Sequence, residues 1–145
     1  MLIQFSIDGL GDELLNLPFE ELSEKFILAY KRHGRYSSWI KIDDKLIVYG
    51  SQTLTGILLD YSSLLEDLLS IQPHEMVIDG FPVADVEVYS EKVCLKIRVD
   101  RQGGTKKFLI PEEEYRKSLT HAVQRISFGM YMIDMAEMAV IGRTL

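Results

Sequence analysis

The sequence predicts an α+β fold: a mostly antiparallel sheet of about five to seven strands with helices packed on one face. Short segments with alternating apolar residues indicate strands, and longer segments with helical apolar spacing indicate helices. Acidic or glycine pairs between consecutive strands are typical of hairpin turns. With 145 residues the chain has the usual size of one domain, so we expect a single domain over 1–145.

The first half of the chain holds three predicted strands. Residues 2–8 alternate between apolar and polar side chains, as expected of a strand with one buried face. Residues 38–42 and 45–49 are predicted strands joined by a turn at Asp43 and Asp44.

Two helices are predicted in the same half. Residues 17–33 have helical apolar spacing, acidic residues in the first turn and basic residues in the last. Ser63 and Glu66 have the spacing of a capping box, which places a short helix over about 61–71. The segment 53–59 is compatible with either a strand or the start of that helix.

Three strands are predicted in the second half, at 75–78 or 83–90, at 93–100 and at 105–110. A final helix begins near Pro111 and extends to about residue 140. Its apolar positions have helical spacing: Tyr115, Leu119, Ala122 or Val123, Ile126, Met130 and Ile133.

The middle hairpin of this half can be aligned residue by residue. A turn at Glu91 and Lys92 puts apolar pairs on one face and opposite charges on the other. Glu87 is then expected opposite Lys96 on the exposed face. The residues expected to be buried are Val86, Val88, Leu95 and Ile97.

Composition narrows the classes of function. The net charge of −6 disfavours nucleic-acid binding, which requires a positive surface. Residues 1–70 hold 11 acidic and 6 basic side chains, so most of the acidic excess is in the first half. A single cysteine, no signal-peptide pattern and no long apolar segment predict a cytoplasmic protein that does not bind membranes.

The residues that could carry out catalysis or bind a metal are isolated. Cys94 could act as a nucleophile with His74 or His121 as its base, but an ordinary strand thiol is the favoured interpretation. His33, His74 and His121 lack the spacing of metal ligands. We therefore predict no catalytic residue, no cofactor and no metal.

The layout resembles the immunity proteins of bacterial contact-dependent and polymorphic toxin systems. The resemblance rests on residues 39–49, which read WIKIDDKLIVY, and residues 58–69, which read LLDYSSLLEDLL, followed by hairpins and a closing helix. It implies a small cytosolic protein that binds and neutralises one cognate toxin domain, often a basic nuclease, and has no catalytic activity.

The leading hypothesis is therefore a non-enzymatic protein-binding domain. Electrostatic complementarity with a basic toxin would draw on the acidic first half. The predicted partner-binding residues are Asp8, Asp12, Glu13, Asp43, Asp44, Asp60, Glu66 and Asp67.

Two alternatives stay open. One is a small enzyme or ligand-binding domain with a pocket that the sequence does not reveal. The other is a homo-oligomeric structural or assembly subunit. Methionines suit adaptable interfaces, so a homodimer would form through the final helix. That helix carries Met130, Met132, Met135 and Met138.

Overall fold

A computed structural model describes residues 3–7, 18, 20, 21, 24, 35–98 and 104–144 of the chain. The first elements are β1 (Ile3–Ile7), β2 (Tyr36–Ile42), β3 (Lys45–Gln52) and helix α1 (Leu54–Ser70). They are followed by β4 (His74–Ile78), β5 (Phe81–Tyr89), β6 (Lys92–Arg98), β7 (Thr105–Pro111) and helix α2 (Glu112–Thr144).

The strands of the described ranges pair antiparallel throughout. They form a three-stranded sheet in the order β1-β2-β3 and a four-stranded sheet in the order β4-β5-β6-β7. The predicted α+β fold is confirmed, with the strands divided between two sheets. The predicted helix over 17–33 lies almost entirely outside the described residues. Within this segment, Glu20, Glu21 and Glu24 are described, and they are helical and exposed.

The two sheets meet where β3 passes the end of β4. A side-chain Cβ at Gly50 would lie 3.1 Å from Cγ2 of Ile78 and 3.2 Å from Oγ of Ser38. Both distances are tighter than an ordinary van der Waals contact. The absence of a side chain at Gly50 therefore lets the last residue of β4 pack directly against β3.

The buried side chains of the two sheets, α1 and α2 form one continuous core. α1 packs against α2 and β4, and α2 packs against β1, β6 and β7. At the centre, the ring of Phe5 meets the rings of Tyr61 and Tyr115 edge-on, with centroid distances of 5.4 and 5.6 Å. The helices cover one face of the four-stranded sheet, and the other face is lined by largely exposed side chains.

The middle hairpin has a different register from the predicted one. Its turn is at Ser90 and Glu91, so Val88 pairs with Val93 and each predicted partner is shifted by two residues. A shift by two keeps every side chain on its face. The predicted burial of Val86, Leu95 and Ile97 is accordingly confirmed, Val88 is half-buried, and Lys96 is exposed opposite Asp85.

Helix α1 begins earlier than predicted. Thr53 is its N-cap and accepts a hydrogen bond from the backbone N–H of Gly56 at 3.2 Å. The predicted capping residues Ser63 and Glu66 lie inside the helix instead. The segment 53–59, left undecided by the sequence, is therefore helical from Leu54 onward.

The remaining elements follow the sequence closely. The turn at Asp43 and Asp44 is confirmed, and the alternatives 75–78 and 83–90 are both strands, β4 and β5. α2 begins directly after Pro111, and the backbone N–H of Glu112 donates to the carbonyl of Glu91 at 2.9 Å. Within the described ranges, no helix is both long and apolar enough to cross a lipid bilayer.

Candidate functional site

The predicted partner-binding acids lie on separate elements. Asp43 and Asp44 occupy the exposed turn between β2 and β3, and both have positive φ angles. Three others, Asp60, Glu66 and Asp67, lie on α1. The remaining three, Asp8, Asp12 and Glu13, lie outside the described residues.

Asp60 has a structural role. Its Oδ2 atom accepts hydrogen bonds from Nε2 of Gln52 at 2.6 Å and from the backbone N–H of Asp79 at 3.0 Å. The carboxylate of Asp79 lies 3.7 Å from the guanidinium of Arg35, which also donates to the carbonyl of Ser51. Asp60 thus ties α1 to the end of β3 and to the β4–β5 turn.

The solvent side of α1 carries large apolar residues. Leu59 and Leu69 are 62% and 64% exposed, and Ile71, directly after the helix, is 67% exposed. Leu59, Ser63 and Glu66 follow one another at helical spacing, opposite the buried residues of the helix. We refer to the surface formed by Leu59, Ser63, Glu66, Leu69 and Ile71 as the α1 outer face.

The charges of α1 run against the helix dipole. The helix contains Asp60, Glu66 and Asp67 and no Lys or Arg. Two of these acids lie within its last five residues, where backbone carbonyls make the local potential negative. Anions there cost a few tenths to about 1 kcal/mol each when exposed. Helix stability therefore does not explain their position.

A second candidate site lies on the solvent-facing side of the four-stranded sheet. A cleft of about 160 Å³ is lined by Asp85, Glu87, Tyr89, Cys94, Lys96 and Lys107. We refer to it as the sheet cleft. The thiol of Cys94 is buried at its floor, and the hydrogen bond with this thiol raises the pKa of Tyr89. The cleft combines acidic, basic and nucleophilic groups.

The structure brings neither His74 nor His121 next to Cys94. Cys94 pairs with the exposed Glu87, whereas His74 pairs with the buried Val86, so the sheet separates thiol and imidazole. His121 lies on α2, which packs on the core side of the sheet. Nδ1 of His74 lies 2.8 Å from the carbonyl of Gln72, which fixes the ring within its own loop.

The other predicted candidates have different outcomes. Met130 is partly buried against the core and Met132 is half-buried, whereas Met135 is exposed; the side chain of Met138 and all of His33 lie outside what is described. In the part of the chain that is described, no group of three His, Cys, Asp or Glu side chains could hold a metal ion.

The sequence reasoning missed the apolar part of the α1 outer face. Leu59 and Leu69 fall outside the buried stripe of the helix. Helical spacing counted from Leu54 would have indicated that these two leucines do not face the core. The pairing of Lys96 with Lys107 depends on the β6–β7 register, which the sequence analysis did not assign.

Comparison with known proteins gives no relative from which a function could be transferred. No family model, no curated protein and no solved structure matches the chain. The two surfaces themselves are therefore the observations that bear on function.

Proposed function

We propose that this protein is a non-enzymatic binding domain whose α1 outer face docks onto a basic protein partner. The observation that carries the proposal is the exposure of Leu59, Leu69 and Ile71 beside acids that the helix itself does not favour. An immunity protein that neutralises a cognate toxin would need such a surface.

The apolar residues would supply most of the affinity. Binding energy at protein interfaces is concentrated in a few large side chains that lose their water on contact. Burying a leucine side chain stabilises a complex by about 1.5–3 kcal/mol. Leu59 and Leu69 project from one rigid helix, so little conformational entropy is lost when they are covered.

The acids would supply the selectivity for a basic partner. Glu66 lies two turns after Leu59 and one turn before Leu69 on the α1 outer face, and Asp67 lies on its flank. Opposite charges on the partner would offset the unfavourable interaction of these carboxylates with the helix dipole. Electrostatic complementarity mainly accelerates association and suppresses wrong partners.

The experiment has two stages. A tagged form of the protein is cross-linked in its host, the bound protein is identified by mass spectrometry, and its binding is then measured with purified components. We expect a basic partner. Glu66→Lys should slow association about tenfold at low salt, and the wild-type rate should fall as salt rises. Leu59→Ala and Leu69→Ala should each accelerate dissociation about tenfold.

Matched controls remove similar groups elsewhere. Asp134→Lys reverses an exposed acid on α2, and Leu109→Ala truncates a half-exposed leucine on the four-stranded sheet. Neither should change the rates. An acidic partner, or one whose binding ignores the α1 changes, would refute the docking surface. Immunity is tested separately, by producing the partner in cells with and without this protein. If the protein is an immunity protein, the partner should kill or arrest only the cells that lack it.

A further inference from the structure

Four charged residues form one row across the solvent-facing side of the four-stranded sheet. In this row Glu75 pairs with Asp85, Asp85 with Lys96, and Lys96 with Lys107. The row therefore contains an acidic pair at one end and a lysine pair at the other. Like charges directly opposite each other on neighbouring strands are destabilising.

The acidic pair is neutralised within the protein. The guanidinium of Arg98 lies 3.4 Å from Oε2 of Glu75 and 3.2 Å from Oδ1 of Asp85, and it also donates to the carbonyl of Pro82 at 2.9 Å. These contacts hold the arginine over both carboxylates, so the like-charge repulsion at this end of the row is offset.

The lysine pair has no such counterion. Among the described residues, no carboxylate lies within 4.0 Å of the ammonium group of Lys96 or Lys107. Both side chains line the sheet cleft, together with Asp85, Glu87, Tyr89 and Cys94. The cleft thus contains two acidic and two basic side chains; Arg98 neutralises Asp85, and the two lysines lie directly opposite each other on β6 and β7.

Protection of a sheet edge does not explain this arrangement. Lysines are common on edge strands, where they prevent pairing with other molecules. That reason applies to Lys107, because β7 is an edge strand of its sheet. It does not apply to Lys96, because β6 is paired on both sides, with β5 and with β7.

The size of the cleft limits what it can hold. A cavity of about 150 Å³ accommodates a ligand as large as benzene. The sheet cleft, at about 160 Å³, therefore suits a compact molecule or the anionic end of a longer one. An acidic group of such a ligand could accept charge-assisted hydrogen bonds from both ammonium groups.

We propose that the sheet cleft binds a small anion, a carboxylate- or phosphate-bearing molecule whose charged group lies between Lys96 and Lys107. This site lies on the sheet, and the proposal does not depend on the function proposed for the α1 outer face.

The proposal is tested by isothermal titration of the full chain with two probes, succinate and inorganic phosphate, at constant ionic strength. At least one of the two probes should bind to the protein. Whether succinate or phosphate binds shows whether the cleft prefers a carboxylate or a phosphate group. Lys96→Gln and Lys107→Gln should each weaken binding about tenfold or more, since each removes one charge-assisted contact. Lys96→Arg, which keeps the charge, should lose less affinity than Lys96→Gln.

The control variants are Lys106→Gln and Lys117→Gln, which remove exposed lysines outside the cleft. Their affinities should equal that of the wild type, and thermal unfolding should show that all variants are folded. The proposal fails if neither probe binds at 10 mM, a practical limit of about −3 kcal/mol. It also fails if the control variants weaken binding as much as the cleft variants do, because the effect would then come from net charge alone.

Discussion

Phe5 lies between two buried tyrosines whose hydroxyl groups have different surroundings. The hydroxyl of Tyr61 is hydrogen-bonded to the side chain of Ser38, whereas the buried hydroxyl of Tyr115 has no hydrogen-bond partner among the described residues. A satisfied hydrogen bond contributes about 0.5–1.5 kcal/mol, and an unsatisfied buried polar group costs about 1–3 kcal/mol. Both residues are almost completely buried, so packing alone does not distinguish them.

The two tyrosines should therefore respond in opposite ways to removal of the hydroxyl. Tyr115→Phe should leave the free energy of unfolding unchanged or raise it by about 1 kcal/mol, because it removes an unpaired group. Tyr61→Phe should lower it by about 1 kcal/mol and leave Ser38 without its partner. Urea unfolding of both variants measures the difference. A larger loss for Tyr115→Phe than for Tyr61→Phe would show that the Tyr115 hydroxyl has a partner after all.

At the scale of the elements, three two-residue turns within the described ranges connect neighbouring strands with positive φ at both central positions. These are Asp43-Asp44, Asp79-Gly80 and Ser90-Glu91. Such turns match the twist of antiparallel strands, but a left-handed conformation costs a residue with a side chain about 1–2 kcal/mol. Only the Asp79-Gly80 turn has glycine at its second position.

Exchanging glycine at these turns should change stability in a predictable direction. Glu91→Gly should raise the free energy of unfolding by about 1 kcal/mol, because the left-handed cost disappears while the carbonyl that accepts from Glu112 remains. Gly80→Ala should lower it by a similar amount. An added Cβ at Gly80 would meet no atom within 4 Å, so that loss would come from the backbone alone. Equal stabilities for wild type and both variants would contradict this account.

The shift in the β5–β6 hairpin shows that alternation of apolar residues does not determine strand register. A register error of two residues keeps every apolar side chain facing the core, so alternation alone cannot detect it. The observed register pairs Val88 with the fully buried Val93, whereas the predicted one would place Val93 opposite Ser90. Both registers make the same number of apolar pairs, so the position of the turn, at Ser90 and Glu91, is what distinguishes the two alignments.

For the whole molecule, the fold class followed from periodicity, but the candidate sites did not. Strand and helix periods report which side chains are buried, and they correctly indicated both the hairpins and α2. The close approach of the two sheets at Gly50 and Ile78 is a contact between distant parts of the chain, which periodicity does not report. The meeting of Lys96 and Lys107 likewise depends on how β6 and β7 align. The sequence charge predicted the acids of α1 as partner-binding residues, but it did not predict that leucines of the same helix are exposed.

The stability of the whole molecule should fall in alkaline solution because of its central tyrosines. Burial raises the pKa of both Tyr61 and Tyr115 above the usual value of 10.0. Above that pH the unfolded chain loses the two phenolic protons while the folded protein keeps them. The unfolded state then binds fewer protons, so stability decreases as pH rises. Below about pH 10 this contribution is fully present, and it is lost progressively as pH rises toward the folded-state pKa values.

The expected slope is steep enough to measure. Each buried tyrosine should lower the free energy of unfolding by about 1.4 kcal/mol per pH unit once the unfolded chain is ionised. Urea unfolding between pH 8 and about pH 11.5 gives the slope for the wild type, for Tyr61→Phe, for Tyr115→Phe and for the double variant. Each single change should remove about half of the contribution of the two buried tyrosines, and the double change should remove that contribution completely. If the double variant keeps the wild-type slope, other groups govern alkaline unfolding, and the aromatic centre of the core is not its cause.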